Sequence, residues 1–222
     1  MERLNIVETR LTELLSQHPE VEIDGRESLA NRLLSYLELI EHWTKTIDLV
    51  ANASFEVLFE RHISDSLIAA FLLIQEKALK KDGHVIDVGT GAGLPGIVFA
   101  ILMPKLKVSL CEPRDKRVIF LKEAVRTLKL ENTRVYLSDM EALIQKNLDP
   151  ATLTIARALG RDEEFLAFSD ATLEQSGTAS LMVGYTWLAP ASVPEALKIL
   201  PPLTYCLTSE TKGRQVVCYQ KL

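Results

Sequence analysis

Apolar residues in the first part of the chain recur at three- and four-residue spacing: Leu4, Val7, Leu11 and Leu14, then Leu29, Leu33, Leu37, Ile40 and Trp43. That period puts them on one face of a helix and predicts two amphipathic helices, with Pro19 and Gly25 punctuating between them. A third helical segment is expected from about Ser54 to Ile74, with Ser54 as its N-cap and Glu56 in the first turn. From His84 the pattern changes to short apolar runs alternating with helix-length segments. HVIDV, KVSLCE, RVYL and TLTIA (84–88, 107–112, 134–137, 152–156) read as strands, with helices at about 95–103, 115–129 and 139–147 between and after them. The 115–129 helix is expected to bury Val118, Leu121, Val125 and Leu128. Beyond it come a helix near 161–175, a strand at 178–184, a helix near 192–199, and the runs LTYCLTS and RQVVCYQK, which would pair as a terminal hairpin. Alternation of helices with predominantly apolar strands implies a parallel sheet covered on both faces.

Two units are expected: an N-terminal helical extension over 1–80, packed on an α/β domain over 81–222. Composition adds limits. The chain has 222 residues, 47% hydrophobic and 25% charged, ordinary usage for a folded protein. No apolar run approaches 18 residues, and the charged N-terminus lacks a signal-peptide core, so no membrane association and a cytoplasmic location are expected. Cys111, Cys206 and Cys218 are odd in number and widely spaced, which predicts three small buried side chains rather than a disulfide framework or metal site. The net charge of -5 does not announce a nucleic-acid binder. It is uneven, however: seven basic and three acidic residues lie between Arg114 and Arg134, so a local basic face at Arg114, Lys116, Arg117 and Lys122 is open alongside a merely solvated helix surface.

The chemistry concentrates in VIDVGTGAGLPGIVFAI (85–101). An open parallel sheet binds ligands at the carboxyl ends of its strands, where the turn Gly89-Thr90-Gly91-Ala92-Gly93 must lie. Its three glycines permit positive φ and close approach of a ligand, and would weaken a turn with no ligand to hold. Gly91 to Gly96 matches GxGxxG, and Glu112, ending the next strand, could grip ribose hydroxyls; both suit a dinucleotide such as NAD. Asp87, two residues before the turn, would repel a pyrophosphate and favour the cationic ammonium and sulfonium of S-adenosylmethionine. The residues alone leave both cofactors open.

The stretch DVGTGAGLPG (87–96) resembles the motif of the RsmG (GidB) family, the 16S rRNA guanine-N7 methyltransferases. ERHISDSL (60–67), CEPRDKRVIFLKEAVRTLKLEN (111–132), IARA (155–158) and GRQVVCYQK (213–221) are similar to further family segments in order and spacing, from about residue 30 to the end. The resemblance implies an α/β, Rossmann-like class I methyltransferase fold: a mostly parallel seven-stranded sheet with a C-terminal antiparallel hairpin and an N-terminal helical extension. It implies S-adenosylmethionine contacts from Gly89, Gly91 and Leu94, ribose contacts from Glu112, contacts near the adenine from Met140 and Glu141, and a contact from Arg157. The implied substrate is one guanine in the decoding-region loop of 16S rRNA, free or in the small ribosomal subunit, acted on by a monomer. Three positions depart from the family pattern. IDLVANAS lacks the usual N-L-T, Asp139 stands where an arginine is common, and Val183 stands where a lysine often precedes the glycine. A methyltransferase of another RNA or a small molecule, and a non-catalytic S-adenosylmethionine-binding assembly module, are the alternatives.

Guanine N7 carries a lone pair and no proton, so its methylation needs alignment rather than a nucleophile or strong base, and no catalytic residue or metal is expected. Cytosine C5 chemistry would need a cysteine in the crevice, whereas Cys111 sits inside a strand. The N/D-P-P-Y/F turn of exocyclic-amine methylation is absent after the fourth strand, where ARALG stands. Tyr185 and Trp187 could stack on a base or simply pack against the last hairpin. Gly89→Arg is expected to abolish cofactor binding by filling the crevice while leaving the fold largely intact, as isothermal titration and circular dichroism would report.

Overall fold

A computed structural model of the chain describes residues 1–19, 21, 26–52, 54–208 and 210–222; Gly25, one of the expected helix breakers, lies outside them. The apolar runs pair as read. Strands β1 (His84–Val88), β2 (Lys107–Glu112), β3 (Thr133–Leu137), β4 (Ala151–Arg157) and β5 (Leu173–Gly184) are parallel. Short strands β6 (Leu197–Ile199) and β7 (Leu203–Tyr205) pair antiparallel with β8 (Arg214–Lys221), which also pairs antiparallel with β5. The order is β3-β2-β1-β4-β5-β8-β6, with β7 also against β8. Because β6 and β7 lie in tandem along one edge of β8, eight strands fill seven positions. The interruption is Leu200-Pro201-Pro202, whose prolines have no N–H for the ladder; Leu200 still donates to the Cys218 carbonyl at 2.8 Å.

The expected helix near 192–199 is replaced by β6. Prolines 190, 194, 201 and 202 crowd the segment, and Leu197–Ile199 find their partners on β8 instead. The strand expected at 178–184 begins earlier, at Leu173, with a register shift against β4. Cys111 and Cys218 are buried as expected, but Cys206, just past the end of β7, is exposed.

Side chains alternate across the sheet. Val85 points to one apolar cluster and Ile86 and Val88 to the other. The first face is covered by α1 (Glu2–Gln17), α2 (Arg26–Thr44), α3 (Phe55–Leu58), α4 (Ser64–Gln75), α5 (Gly96–Leu102) and α6 (Asp115–Thr127). The second is covered by α7 (Met140–Ile144) and α8 (Asp162–Thr172). A π-helical turn, Phe59–Ile63, joins α3 to α4, and Ser54 caps α3 by accepting the Val57 N–H. Leader residues Val7, Leu11, Leu33, Leu37, Ile40 and Leu67 share the core with Val85, Ile97 and Leu153, so the N-terminal helices complete the sheet's cover. Helix α6 buries Val118 and Leu121 as predicted, with Leu128 buried at its C-cap, adds Phe120 and Ala124, and leaves Val125 half-buried.

Asn132, in the turn before β3, explains a polar residue in the CEPRDKRVIFLKEAVRTLKLEN segment. Its side-chain amide donates to the carbonyls of Ala100, Met103 and Leu106 at 3.3, 3.2 and 2.9 Å, closing the C-terminal end of α5 and the connection into β2. Asn132→Ala removes these donors, leaving the Met103 carbonyl only the Leu106 N–H at 3.0 Å, and is expected to cost about 1–3 kcal/mol of unfolding free energy in urea denaturation.

Candidate cofactor and substrate crevice

The glycine turn sits at the carboxyl end of β1. Gly89, Gly91 and Gly93 have φ of +65°, +61° and +90°, conformations L side chains rarely adopt. The Gly89 and Thr90 N–H groups donate to the Cys111 carbonyl at 2.9 and 3.1 Å, stitching the turn onto β2. Asp87 is fully buried, and its Oδ2 accepts the Thr90 hydroxyl at 2.5 Å and the Gly96 N–H at 2.8 Å. Burial pushes its carboxyl up to about 6, against the lowering effect of those two donors. Asp87 therefore shapes the turn from beneath rather than facing a ligand; its other oxygen, Oδ1, is buried without a partner. From the helical leader, the buried Tyr36 hydroxyl donates to the Ala92 carbonyl at 2.5 Å.

Between Gly83 and Leu102, Gly89 and Gly91 alone escape full burial. A Cβ on Gly91 would stand in the crevice, its nearest neighbour the Arg117 guanidinium at 3.6 Å, whereas one on Gly89 would strike Leu159 at 2.7 Å. Glu112 ends β2 beside them, 2% exposed. Its Oε2 accepts the Gly91 N–H and its Oε1 the Arg114 N–H, each at 3.0 Å. Each carboxylate oxygen has a second acceptor direction left, the chemistry a ribose diol requires. A cradle that a side chain would fill, bordered by a fixed acid, fits S-adenosylmethionine.

The other expected contacts are placed unequally. Leu94 is buried, and its N–H is spent on the Thr90 carbonyl at 3.1 Å. Met140 starts α7 with its side chain in the second apolar cluster, and Glu141 beside it is exposed. Arg157 ends β4, where its guanidinium pairs with Asp65 at 3.2 Å.

Asp65, 1% exposed, is the hub of a charged network that sequence reading missed. It accepts the Tyr205 hydroxyl at 2.8 Å and pairs with both Arg157 and Arg214 at 3.2 Å. Arg214 also grips Glu210 through two nitrogens at 2.9 and 2.8 Å, and Arg61 reaches Glu210 at 3.1 Å. Helix α4, β4, β7 and β8 thus meet at one carboxylate. Burial and the cationic Arg157, Arg214 and Arg61 hold the half-buried His62 down at about 4. Arg157, Tyr205 and Arg214 open onto a cavity of about 360 Å³ at the ends of β4 and β5, which Trp187 and Val183 also line. Trp187 donates its indole N–H to Asp162 at 2.7 Å, while Tyr185 is exposed.

The rRNA small subunit methyltransferase G (GidB) family model matches residues 29–191. The chain belongs to this family. Among curated relatives it is 38% identical to ribosomal RNA small subunit methyltransferase G of Paracoccus denitrificans over 72% of this chain and 79% of that one. It is 37% identical to the Xanthomonas oryzae protein of the same name over 76% of each. Similar solved folds include an S-adenosylmethionine-dependent methyltransferase from Aquifex aeolicus (TM-score 0.54, 17% identity, 75% of this chain and 93% of that one). Another is TrmN from Thermus thermophilus (TM-score 0.54, 18% identity, 73% and 53%). These establish the class I methyltransferase fold.

Family segments separated in sequence converge in space. The RHISDSL segment supplies Asp65, the IARA segment Arg157 and the closing strand Arg214. The family departure at Asp139 has a local reason: its carboxylate caps α7, accepting the Ala142 N–H at 2.9 Å. Of the candidate basic face, Arg117 is held to the Asp48 carbonyl at 3.0 Å, while Arg114, Lys116 and Lys122 are exposed. The network also sets a pH response. A His62 held below its unfolded value binds fewer protons folded than unfolded between about pH 4 and 6.5, so it withdraws stability as pH falls through that window. His62→Gln is expected to narrow the stability gap to wild type as pH drops from 6.5 to 4; a gap constant across that range in thermal melts contradicts the assignment.

Proposed function

We propose that the chain is an S-adenosylmethionine-dependent methyltransferase that alkylates N7 of a guanine in the decoding-region loop of 16S rRNA. The observation that carries this reading is the half-exposed glycine pair at β1 beside the fixed Glu112 carboxylate at β2, in a member of the small-subunit rRNA methyltransferase family. S-adenosylmethionine, when bound, supplies an electrophilic methyl on a sulfonium. Gly89 and Gly91, with Leu94 next along the turn, offer backbone surface to it, Glu112 accepts from the ribose, and Met140 and Glu141, at the start of α7, stand on the adenine side. Arg157 stands at the opposite, β4, side. The target nitrogen attacks with its own lone pair, so the protein's work is alignment and exclusion of water.

Residues 1–80 act in this reading as an extension that completes the crevice through Tyr36 and Asp65, on a 81–222 methyltransferase domain. No helix among the described residues is long and apolar enough to cross a membrane. A cytoplasmic monomer acting on ribosomal RNA or small subunits is the setting that fits the substrate.

The test is methyl transfer from labelled S-adenosylmethionine to 16S rRNA, and to small subunits from cells lacking the modification, mapped by cleavage specific for 7-methylguanine. One labelled guanine in the decoding-region loop is the expected outcome; cofactor binding without transfer discards the substrate. Glu112→Ala is expected to weaken cofactor binding by about 1–3 kcal/mol, because charged hydrogen bonds to the ribose are lost. Unchanged affinity by calorimetry would mean the acid serves only to hold Gly91 and Arg114.

A further inference from the structure

We propose that the cavity at the carboxyl ends of β4 and β5 is the seat of the target guanine, stacked on Trp187 with Asp162 at its edge. This deepens the methyltransferase reading above and rests on it. Four observations converge. The cavity adjoins the glycine turn: Leu159, one of its lining residues, stands 2.7 Å from where a Cβ on Gly89 would lie, so cofactor crevice and cavity share a wall. Its volume is about 360 Å³, room for a single extruded base.

Its one indole is fixed. Trp187 is half-buried, and its ring nitrogen is tied to Asp162 at 2.7 Å, which holds the ring without consuming a face. A restrained aromatic plane at the rim of a base-sized cavity is the arrangement that holds an unstacked base. Asp162 spends one acceptor position on that N–H and keeps others. A carboxylate complements the adjacent N1–H and N2–H donors of guanine, whereas adenine presents an acceptor at N1.

The charge balance fits the reaction. The N7 lone pair forms the new C–N bond as the C–S bond breaks; the positive charge leaves sulfur and appears on the purine, and no proton moves. A site for this step must tolerate a growing cation. The two guanidiniums that open on the cavity, Arg157 and Arg214, are matched by the buried Asp65 and by Glu210. Asp162 then adds a carboxylate beside the ring that becomes cationic.

Trp43 packs edge-on to Phe120 in the core, at 5.9 Å between centroids, and is the other of the chain's 2 tryptophans. In a Trp43→Phe background the fluorescence therefore comes from Trp187. Titration with 7-methylguanosine monophosphate is expected to quench it saturably, with adenosine monophosphate at least tenfold weaker. In turnover with small subunits, Trp187→Ala is expected to raise KM for the RNA about ten- to hundredfold with cofactor affinity unchanged, and Trp187→Phe to restore most of it. Asp162→Asn, whose amide oxygen can still accept the indole N–H, is expected to lower kcat/KM about tenfold and to narrow the preference for the guanine nucleotide in the quenching titration. No quenching by the guanine nucleotide, or wild-type KM in Trp187→Ala, overturns the proposal. Guanine-specific quenching without transfer to any ribosomal guanine leaves the cavity assigned and discards the rRNA reading instead.

Discussion

The crevice depends on a carboxylate that no ligand needs to touch. Asp87 lies fully buried under the glycine turn and takes one hydroxyl and one backbone N–H, so the turn, the start of α5 and the end of β1 are set by a single side chain. Burying that acid disfavours its charged form and pushes its pKa up, and the two donors offset part of the cost. Gly96 must approach it closely: a Cβ there would stand 2.7 Å from Asp87 Oδ2. The spacing from Asp87 to Gly96 in the family motif is thus a packing constraint as much as a binding signature.

A second buried acid does for the other half of the crevice what Asp87 does for the first. Asp65 arrives on the helical leader and gathers Tyr205, Arg157 and Arg214 from three strands. A buried charge of this kind is stable only while its partners are present, and removing one leaves the rest uncompensated. The leader is therefore coupled to the strand ends by electrostatics as well as by the apolar core it shares with them.

Local patterns were readable where local physics decides them. The strands at 84–88 and 107–112 fall as expected because short runs rich in Val, Ile, Leu and Cys bounded by turns admit little else, and the Ser54 cap and the α6 face follow from side-chain type and period. The 192–199 segment misleads because Glu195, Ala196 and Leu197 favour a helix locally, while pairing with β8 decides otherwise. The site divides the same way. The glycine turn and Glu112 announce themselves within about twenty residues of each other. Asp65 meets Arg157 across 92 positions and Tyr205 across 140, and no short-range pattern encodes such a meeting. Leu94 and Met140 lie in motif positions, yet their side chains face the interior, a direction that only packing sets.

The divided strand along β8 bears on how the molecules tolerate one another in solution. An unbroken outer strand would offer a continuous row of backbone donors and acceptors to a strand of a neighbouring molecule. Here the row is cut into two three-residue pieces by consecutive prolines, and the exposed positions include Lys198. The β6/β7 edge thus resists sheet-to-sheet aggregation, and two prolines do what a longer covering element would otherwise have to do.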